Sequence, residues 1–283
     1  MIRQACAAGD VSAAFQKLNG IFASADGWAI AVSGGVDSVT LAAVAQRAGL
    51  SVAPVIVHAV SPAVPSDALP RLQSLANAER WDLRIVYAAE LEDASYRANP
   101  YNRCYFCKSA LYTTMLRQLS DRMENGMVLA SGANMDDLGE HRPGLIAASE
   151  HGVRHPLIEA GIGKPMIRSI ASYLGLSGFE SLPAQPCLAS RIETGIPIAE
   201  GDLRFIDELE GRLRDITGHE ATLRARLRRE GVVVELDPSI YGISSVAENI
   251  DSVCAEVCAN GGYVYAGLQP YRRGSAFVKA LET

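Results

Sequence analysis

At 283 residues, 48% of them hydrophobic and 20% charged, the chain is apolar enough for one large domain or two ordinary ones, which excludes global disorder. A net charge of −6 argues against non-specific coating of nucleic acid, although it leaves room for a local basic patch. Apolar runs fall short of the roughly 18 residues needed to cross a bilayer, and residues 1–10 lack the apolar stretch of an export signal, so a cytoplasmic protein with no membrane partner is expected.

The first half alternates short apolar runs with helix-like segments. Residues 27–32 (Gly-Trp-Ala-Ile-Ala-Val) read as a buried strand, continuous rather than alternating. A helix is expected over 38–48, a second strand over 52–57, a helix over 66–80, a third strand over 83–87 and a fourth over 127–130. Strands separated by helices point to an α/β domain whose parallel sheet is covered on both faces. The segment 90–108 is polar and irregular, and long for a simple connection. Helical character resumes over 108–123, where Leu111, Met115 and Leu119 recur at four-residue steps, and again over 164–174. Gly178, Pro183 and Pro186 mark a boundary region, which divides the chain into domains at 1–186 and 187–283. Beyond it, Leu203, Ile206, Leu209 and Leu213 outline an amphipathic helix. Strands are expected over 222–227 and 232–236, a helix along Val246, Ile250, Val253 and Val257, and a last strand over 263–266. That order suggests a smaller C-terminal α+β domain.

The first strand runs directly into Ser33-Gly34-Gly35-Val36-Asp37-Ser38, and a helix follows. Ligands of open parallel sheets sit at the carboxyl ends of strands. Two consecutive glycines let the backbone turn tightly and bring its N–H groups to an anion, and the following helix aims its positive end at the same spot. Ser33 and Ser38 add hydroxyls, and Asp37 offers a hard oxygen to a magnesium ion bridging phosphates. Without a Gly-Lys-Ser/Thr, the loop is not the one that cradles a β/γ-phosphate pair. It resembles the PP-loop of ATP pyrophosphatases, which hold the leaving pyrophosphate while a substrate is adenylated, a likeness that implies the adenine nucleotide alpha hydrolase type of α/β fold. The bland alternative is a Gly-Gly turn between strand and helix.

Of the six cysteines, Cys104 and Cys107 form a C-x-x-C within Asn102-Arg103-Cys104-Tyr105-Phe106-Cys107-Lys108. Alone, the pair reads as half a zinc site, a redox pair or part of an iron–sulfur site. Cys187 stands in Pro186-Cys187-Leu188-Ala189-Ser190-Arg191. Three thiolates would leave one iron of a four-iron cluster without a protein ligand, open to a sulfide. Cys6 lies near the N-terminus. Cys254 and Cys258, four apart beside a helix's apolar stripe, read as core thiols. His151 and His155 are flanked by Gly152 and Pro156, which speaks for a structural role rather than a helical metal site.

The loop at Ser33, the run from Asn102 to Lys108, the stretch Asp136-Asp137-Leu138-Gly139-Glu140-His141-Arg142-Pro143-Gly144-Leu145, and Cys187-Leu188-Ala189-Ser190-Arg191 occur in that order. Together they resemble the LarE family of ATP-dependent sulfur transferases, over nearly the whole chain. The resemblance implies adenylation of a carboxylate on a pyridinium mononucleotide, release of pyrophosphate and replacement of AMP by sulfur, on the way to a nickel-pincer nucleotide. It implies ATP and Mg2+, and, because Cys104 and Cys107 accompany Cys187, a [4Fe-4S] cluster that delivers sulfide. The alternative is a single-use enzyme in which Cys187 gives up its own sulfur. The chain departs from the family's usual residues at Ser131-Gly132, Thr194-Gly195 and around Gly267, most of which flank the presumed substrate pocket rather than the ATP loop.

Arg224, Arg226 and Arg228 alternate along an expected strand and so share one face, their side chains about 7 Å apart, a spacing that suits a phosphorylated ligand. The resemblance places Arg224 and Arg226 near a substrate phosphate, with Glu235 on the neighbouring strand, and adds Arg191, Arg142 and Arg272 as weaker candidates. A solvated sheet face is the alternative. The expected partners are a small nucleotide substrate and an unidentified sulfur donor, not nucleic acid, and a homo-oligomer is expected. Three rival functions share parts of this evidence: a transfer-RNA thiolase with the same loop and cluster, an ATP-binding module without turnover, and an amidating ligase fed by ammonia.

Overall fold

A computed structural model describes residues 8–139, 142–218 and 220–278. In chain order its elements are helix α1 (Ala8–Phe22), strand β1 (Gly27–Ala31), α2 (Val36–Arg47), β2 (Val55–Val60), α3 (Ala68–Glu79) and β3 (Asp82–Tyr87). The short α4 (Ala94–Arg97), α5 (Arg103–Gln118) and α6 (Ser120–Glu124) follow, then β4 (Met127–Ser131), α7 (Pro143–Glu150), α8 (Pro156–Glu159) and α9 (Lys164–Tyr173). The remainder holds α10 (Glu200–Thr217), β5 (Leu223–Arg228), β6 (Gly231–Leu236), α11 (Pro238–Tyr241), α12 (Ser244–Gly261) and β7 (Tyr265–Pro270). The chain divides into two compact units, one made of residues 1–61, 67–90 and 104–182, the other of 62–66, 91–103 and 183–283.

In the first unit four parallel strands lie in the order β3-β2-β1-β4. The period-2 geometry of β1 explains how its uninterrupted apolar run is used. Trp28 and Ile30 enter one core with Leu18 and Phe22 of α1, Leu41 and Val44 of α2, and Ile167 and Ile170 of α9. Ala29 and Ala31 enter the opposite core with Leu111, Tyr112 and Met115 of α5 and Leu129 of β4. Helices therefore cover both faces, as the sequence implies. Strand order reverses between β1 and β4, and the crevice outside their carboxyl ends is where an open sheet of this kind accepts ligands.

The second unit carries a three-stranded sheet in which β5 and β6 are antiparallel and β6 and β7 parallel. Leu203, Ile206, Leu209 and Leu213 are the buried stripe of α10, as their spacing predicts.

Several local expectations are corrected. Strand β2 begins at Val55 rather than at residue 52, because Pro54 has no N–H to donate to a ladder. The expected helix over 108–123 starts earlier, at Arg103, and stops at Gln118 before the separate α6. Asn99, at φ +52°, ends the preceding segment, and Arg103 N–H donates to the Pro100 carbonyl as the new helix opens. The C-x-x-C pair is thus helical rather than part of an irregular loop. The last strand starts at Tyr265, since Tyr263 N–H is drawn back to the Cys258 carbonyl at the end of α12. Cys6, Glu140 and His141 lie outside the described residues. No described helix is long and apolar enough to cross a membrane.

Candidate functional site

The glycine-rich loop Ser33–Ser38 joins β1 to α2 at the reversal in strand order. Gly34 has φ +83°, a conformation that only glycine adopts without strain, and Gly35 caps α2 with no side chain closing the helix end. The first helical bond runs from Val39 N–H to the Gly35 carbonyl at 3.1 Å. The amides of Val36, Asp37 and Ser38 therefore have no partner within the helix, and the positive end of α2 is left available to an anion. Ser33 is exposed, whereas the Ser38 hydroxyl is turned into the loop: it donates to the Gly35 carbonyl at 3.1 Å and accepts the Ser33 N–H at 3.1 Å. Ser38 thus shapes the turn. Gly132, just past β4, is equally constrained, because a Cβ there would lie 2.7 Å from the Ser38 backbone. That contact leaves the loop after β4 directly against the glycine-rich loop.

The loop after β4 holds Asp37. Asn134, fully buried, donates from Nδ2 to Asp37 Oδ2 at 3.1 Å, and is itself fixed by a reciprocal cap with Asp137 and by the Asp136 amide on its Oδ1. The other oxygen of Asp37, Oδ1, is buried with no hydrogen-bond partner among the described residues. Burial raises the Asp37 pKa above the ordinary 3.8; Lys164 and Arg168 of α9 oppose that rise, while Asp137 and Asp136 add to it. A half-satisfied carboxylate beside free helix amides suits a divalent cation carrying phosphate oxygens. Asn134, Lys164 and Arg168 escaped the sequence reading. The only local signal was the Gly132-Ala133-Asn134 turn leading into the two aspartates.

Cys104 and Cys107, both half-buried and unoxidised, lie one helical turn apart near the start of α5. Gly144 of α7 packs against Lys108 and Cys104 of this helix, where a Cβ would come within 3.1 Å of Lys108 Cγ. Arg142, ahead of α7, pairs with Asp137 at 2.9 Å. Lys108 also bears on His155, whose pKa is lowered mainly by burial, with Glu159 and Asp137 opposing and Lys108 assisting. His155 Nδ1 is 2.9 Å from the Ser131 hydroxyl at the end of β4. The C-x-x-C helix and residues 142–144 therefore meet near the carboxyl edge of the sheet, around β4. His151 bonds the Ala147 carbonyl and Thr113, the structural role expected of it.

In the second unit the alternating arginines do not form a solvated face. Arg224 and Arg226 are 4% and 3% exposed. Arg226 and Arg228 share the two oxygens of Glu235, at 3.0 and 2.8 Å. Arg191 makes a two-pronged pair with Glu210, both contacts at 2.9 Å, and Arg214 adds a third. Burial opposes the Arg191 charge, yet Glu210 outweighs it and holds the Arg191 pKa above its ordinary value; Glu210 is correspondingly lowered despite full burial. Arg191 also donates to the carbonyls of Pro186 and Cys187, so it fixes the backbone that presents the half-buried Cys187 thiol.

Arg224 differs from its neighbours. It bonds the Leu223 and Ala184 carbonyls, leaves Nε unpartnered and faces the Tyr271 ring at 5.8 Å. Burial, with Arg191 next in strength, pushes its pKa down to about 10. A buried guanidinium without a carboxylate is a seat for an anion. Arg272 is exposed, and its backbone N–H reaches Glu235 at 3.4 Å. Tyr271 is a neighbour that no local signal announced. Among the described residues no group of three or more His, Cys, Asp and Glu side chains is gathered as a metal ion would require.

No protein-family model matches the chain. It is 35% identical over 262 residues to the uncharacterized protein slr1717 of Synechocystis, covering 92% of this chain and 95% of that one. It is 28% identical to the uncharacterized protein MJ0830 of Methanocaldococcus jannaschii, covering 82% of this chain and 88% of the other. It is 26% identical over 213 residues to the pyridinium-3,5-bisthiocarboxylic acid mononucleotide synthase of Lactiplantibacillus plantarum, covering 75% of each.

Proposed function

The chain belongs to the family of the Synechocystis protein slr1717, and from that premise and the geometry above we propose that it is an ATP-splitting sulfur transferase acting on a small nucleotide. The observation that carries the proposal is Asp37. One of its oxygens is clamped by Asn134 and the other is buried and unpartnered, at the head of a helix whose first amides are free. A protein that needed only a tight turn would not leave a carboxylate in that state. The mononucleotide synthase in Lactiplantibacillus plantarum supports the substrate class, because its name specifies two thiocarboxylic acids on a pyridinium mononucleotide.

In the proposed reaction a carboxylate oxygen of the acceptor attacks the α-phosphorus of ATP. The bond to the bridging oxygen breaks, and pyrophosphate leaves towards the amides of Val36, Asp37 and Ser38. These are preset for its charge and need no reorganisation as it develops. Lys164 and Arg168, which already bear on Asp37, add positive charge on the same side. Magnesium, held by Asp37, would neutralise charge on the phosphates. A sulfur nucleophile then adds to the acyl carbon, the bond to AMP breaks, and a thiocarboxylate results. Arg224 and Arg226, with Arg191 and Arg272 near them, are the proposed seat of the acceptor's phosphate; Arg224, lacking a carboxylate of its own, is the one with charge to give.

For the sulfur itself we propose that Cys104, Cys107 and Cys187 hold a [4Fe-4S] cluster, which would carry a sulfide on its open iron. The thiolate donor set suits that group, and two of the three donors share one helical turn. The alternative, loss of sulfur from Cys187, requires only that thiol.

Pyrophosphate release from Mg-ATP with candidate nucleotide carboxylates tests the reaction. Asp37→Ala should lower the rate by at least about 100-fold; an undiminished rate would refute the assignment. Anaerobic iron and sulfide analysis, with the mass of the Cys187 peptide after turnover, separates the two sulfur sources. Iron with an intact cysteine supports the cluster, and conversion to dehydroalanine supports sacrifice.

A further inference from the structure

His58 lies in β2, fully buried, beside the strand that feeds the phosphate loop. The β1–β2 ladder ends at the pair Ala31 and Val57, and Val32 N–H still donates to the Val57 carbonyl at 2.8 Å. One step further a side chain takes over: His58 Nδ1 is 2.8 Å from the Val32 carbonyl. A carbonyl can only accept, so Nδ1 carries the proton, and the neutral ring then has an unprotonated Nε2. That nitrogen is buried and has no hydrogen-bond partner among the described residues.

The carbonyl of Val32 and the N–H of Ser33 belong to one rigid peptide plane. His58 holds the oxygen end of that plane, and the Ser38 hydroxyl holds its N–H end at 3.1 Å. The next residue is Gly34, at φ +83°, from which the chain turns into the free amides of α2. A rotation of this plane would swing the whole turn, because its two flanking bonds are the last points at which β1 can steer it.

We propose that His58 is a positioning residue for the phosphate loop, locking the Val32–Ser33 peptide so that the amides beyond it converge on one anion. The part of this inference that concerns ATP rests on the function proposed above; the part that concerns loop order does not. Neutrality of the ring is part of the device. Burial holds the His58 pKa below the ordinary 6.5, the Val32 carbonyl opposes that only partly, and no charged side chain figures among the influences on it. A proton on Nε2 would place an unpaired cation in the core behind the loop.

Two substitutions separate the hydrogen bond from mere filling of space. His58→Phe preserves volume but cannot donate to Val32, whereas the Nδ2 of His58→Asn can occupy the place of Nδ1. Amide hydrogen exchange of the ligand-free protein is read at Ser33 and Gly35, whose N–H groups are bonded to the Ser38 and Ser33 hydroxyls, and the KM for ATP is taken from pyrophosphate release. His58→Phe should speed exchange at those amides and raise the KM about 3- to 10-fold, the worth of one hydrogen bond, with His58→Asn close to wild type in both. In wild type the KM should rise as pH falls below the ordinary histidine range, and His58→Asn should flatten that rise. If His58→Phe leaves exchange at Ser33 and Gly35 unchanged, or His58→Asn fails to restore it, the proposal is overturned. If wild type releases no pyrophosphate, the ATP reading fails, and amide exchange alone still decides the role of His58.

Discussion

Asp37 shows at the scale of one residue how a site is kept at the expense of stability. Its folded pKa is raised above 3.8 by burial, so the folded protein holds this proton to a higher pH than the unfolded chain does. Stability from this group is therefore lost as pH rises from about 4 through the raised value, and at neutral pH the carboxylate is a net burden. Asp37→Asn should raise the Tm at neutral pH while removing pyrophosphate release, and calorimetry of the metal-free protein checks the first half. A fall in Tm would mean that Asp37 braces Asn134 more than it serves a cation. The motif made Asp37 legible in the sequence; Asn134, ninety-seven positions away, was not, because only the pairing of β1 with β4 joins them. Cysteine reactivity is a second test at this scale. Burial pushes Cys254 and Cys258 up to about 12 and 11, so neither forms thiolate readily. Under anaerobic, metal-free conditions alkylation should mark Cys104, Cys107 and Cys187, all half-buried, well before either of them.

At the scale of the element, β5 illustrates why a sequence pattern cannot assign charge to solvent or core. Alternation correctly implied one face for Arg224, Arg226 and Arg228, but the solvated alternative depended on what covers that face. Glu235 of β6 pairs there with Arg226 and Arg228, and nearby Glu210 of α10 pairs with Arg191 and Arg214. Removing one partner of a buried pair leaves the other charge stranded, so Glu210→Ala should cost about 3–5 kcal/mol in denaturant unfolding. Arg224→Met should cost far less, since it strands no carboxylate, yet should weaken acceptor binding. Equal losses of stability from the two variants would contradict the distinct part given to Arg224. Helix α1 is a different case: Val11, Ala14, Leu18 and Phe22 are its buried face, and their three- and four-residue spacing was readable beforehand.

For the whole molecule, the buried His58 and the half-buried His155 predict how stability varies with acid. His58 and His155 both have folded pKa values below 6.5, chiefly from burial, so the unfolded chain takes up protons first as pH falls. Their contribution to stability should be complete above about pH 6.5 and decline on acidification through that value towards the folded pKa values, opposite in sign to that of Asp37. Thermal unfolding between about pH 8 and pH 5.5 measures this, and a Tm independent of pH would count against neutral burial of the pair.

What the amino-acid order by itself determined is whatever depends on neighbours along the chain. It announced a strand, a two-glycine turn and a helix at residues 27–47, an α/β alternation before residue 175, and an amphipathic helix with paired strands after 200. Apolar periodicity and glycine's backbone freedom act over a few residues, so they can be read from a few residues. Tertiary structure alone decided which side chains meet: Asn134 on Asp37, His58 behind the Val32 carbonyl, Glu210 against Arg191, and Arg224 left without an acid. Burial and electrostatic pairing act through space, and parallel strands bring together residues that the chain separates by whole helices.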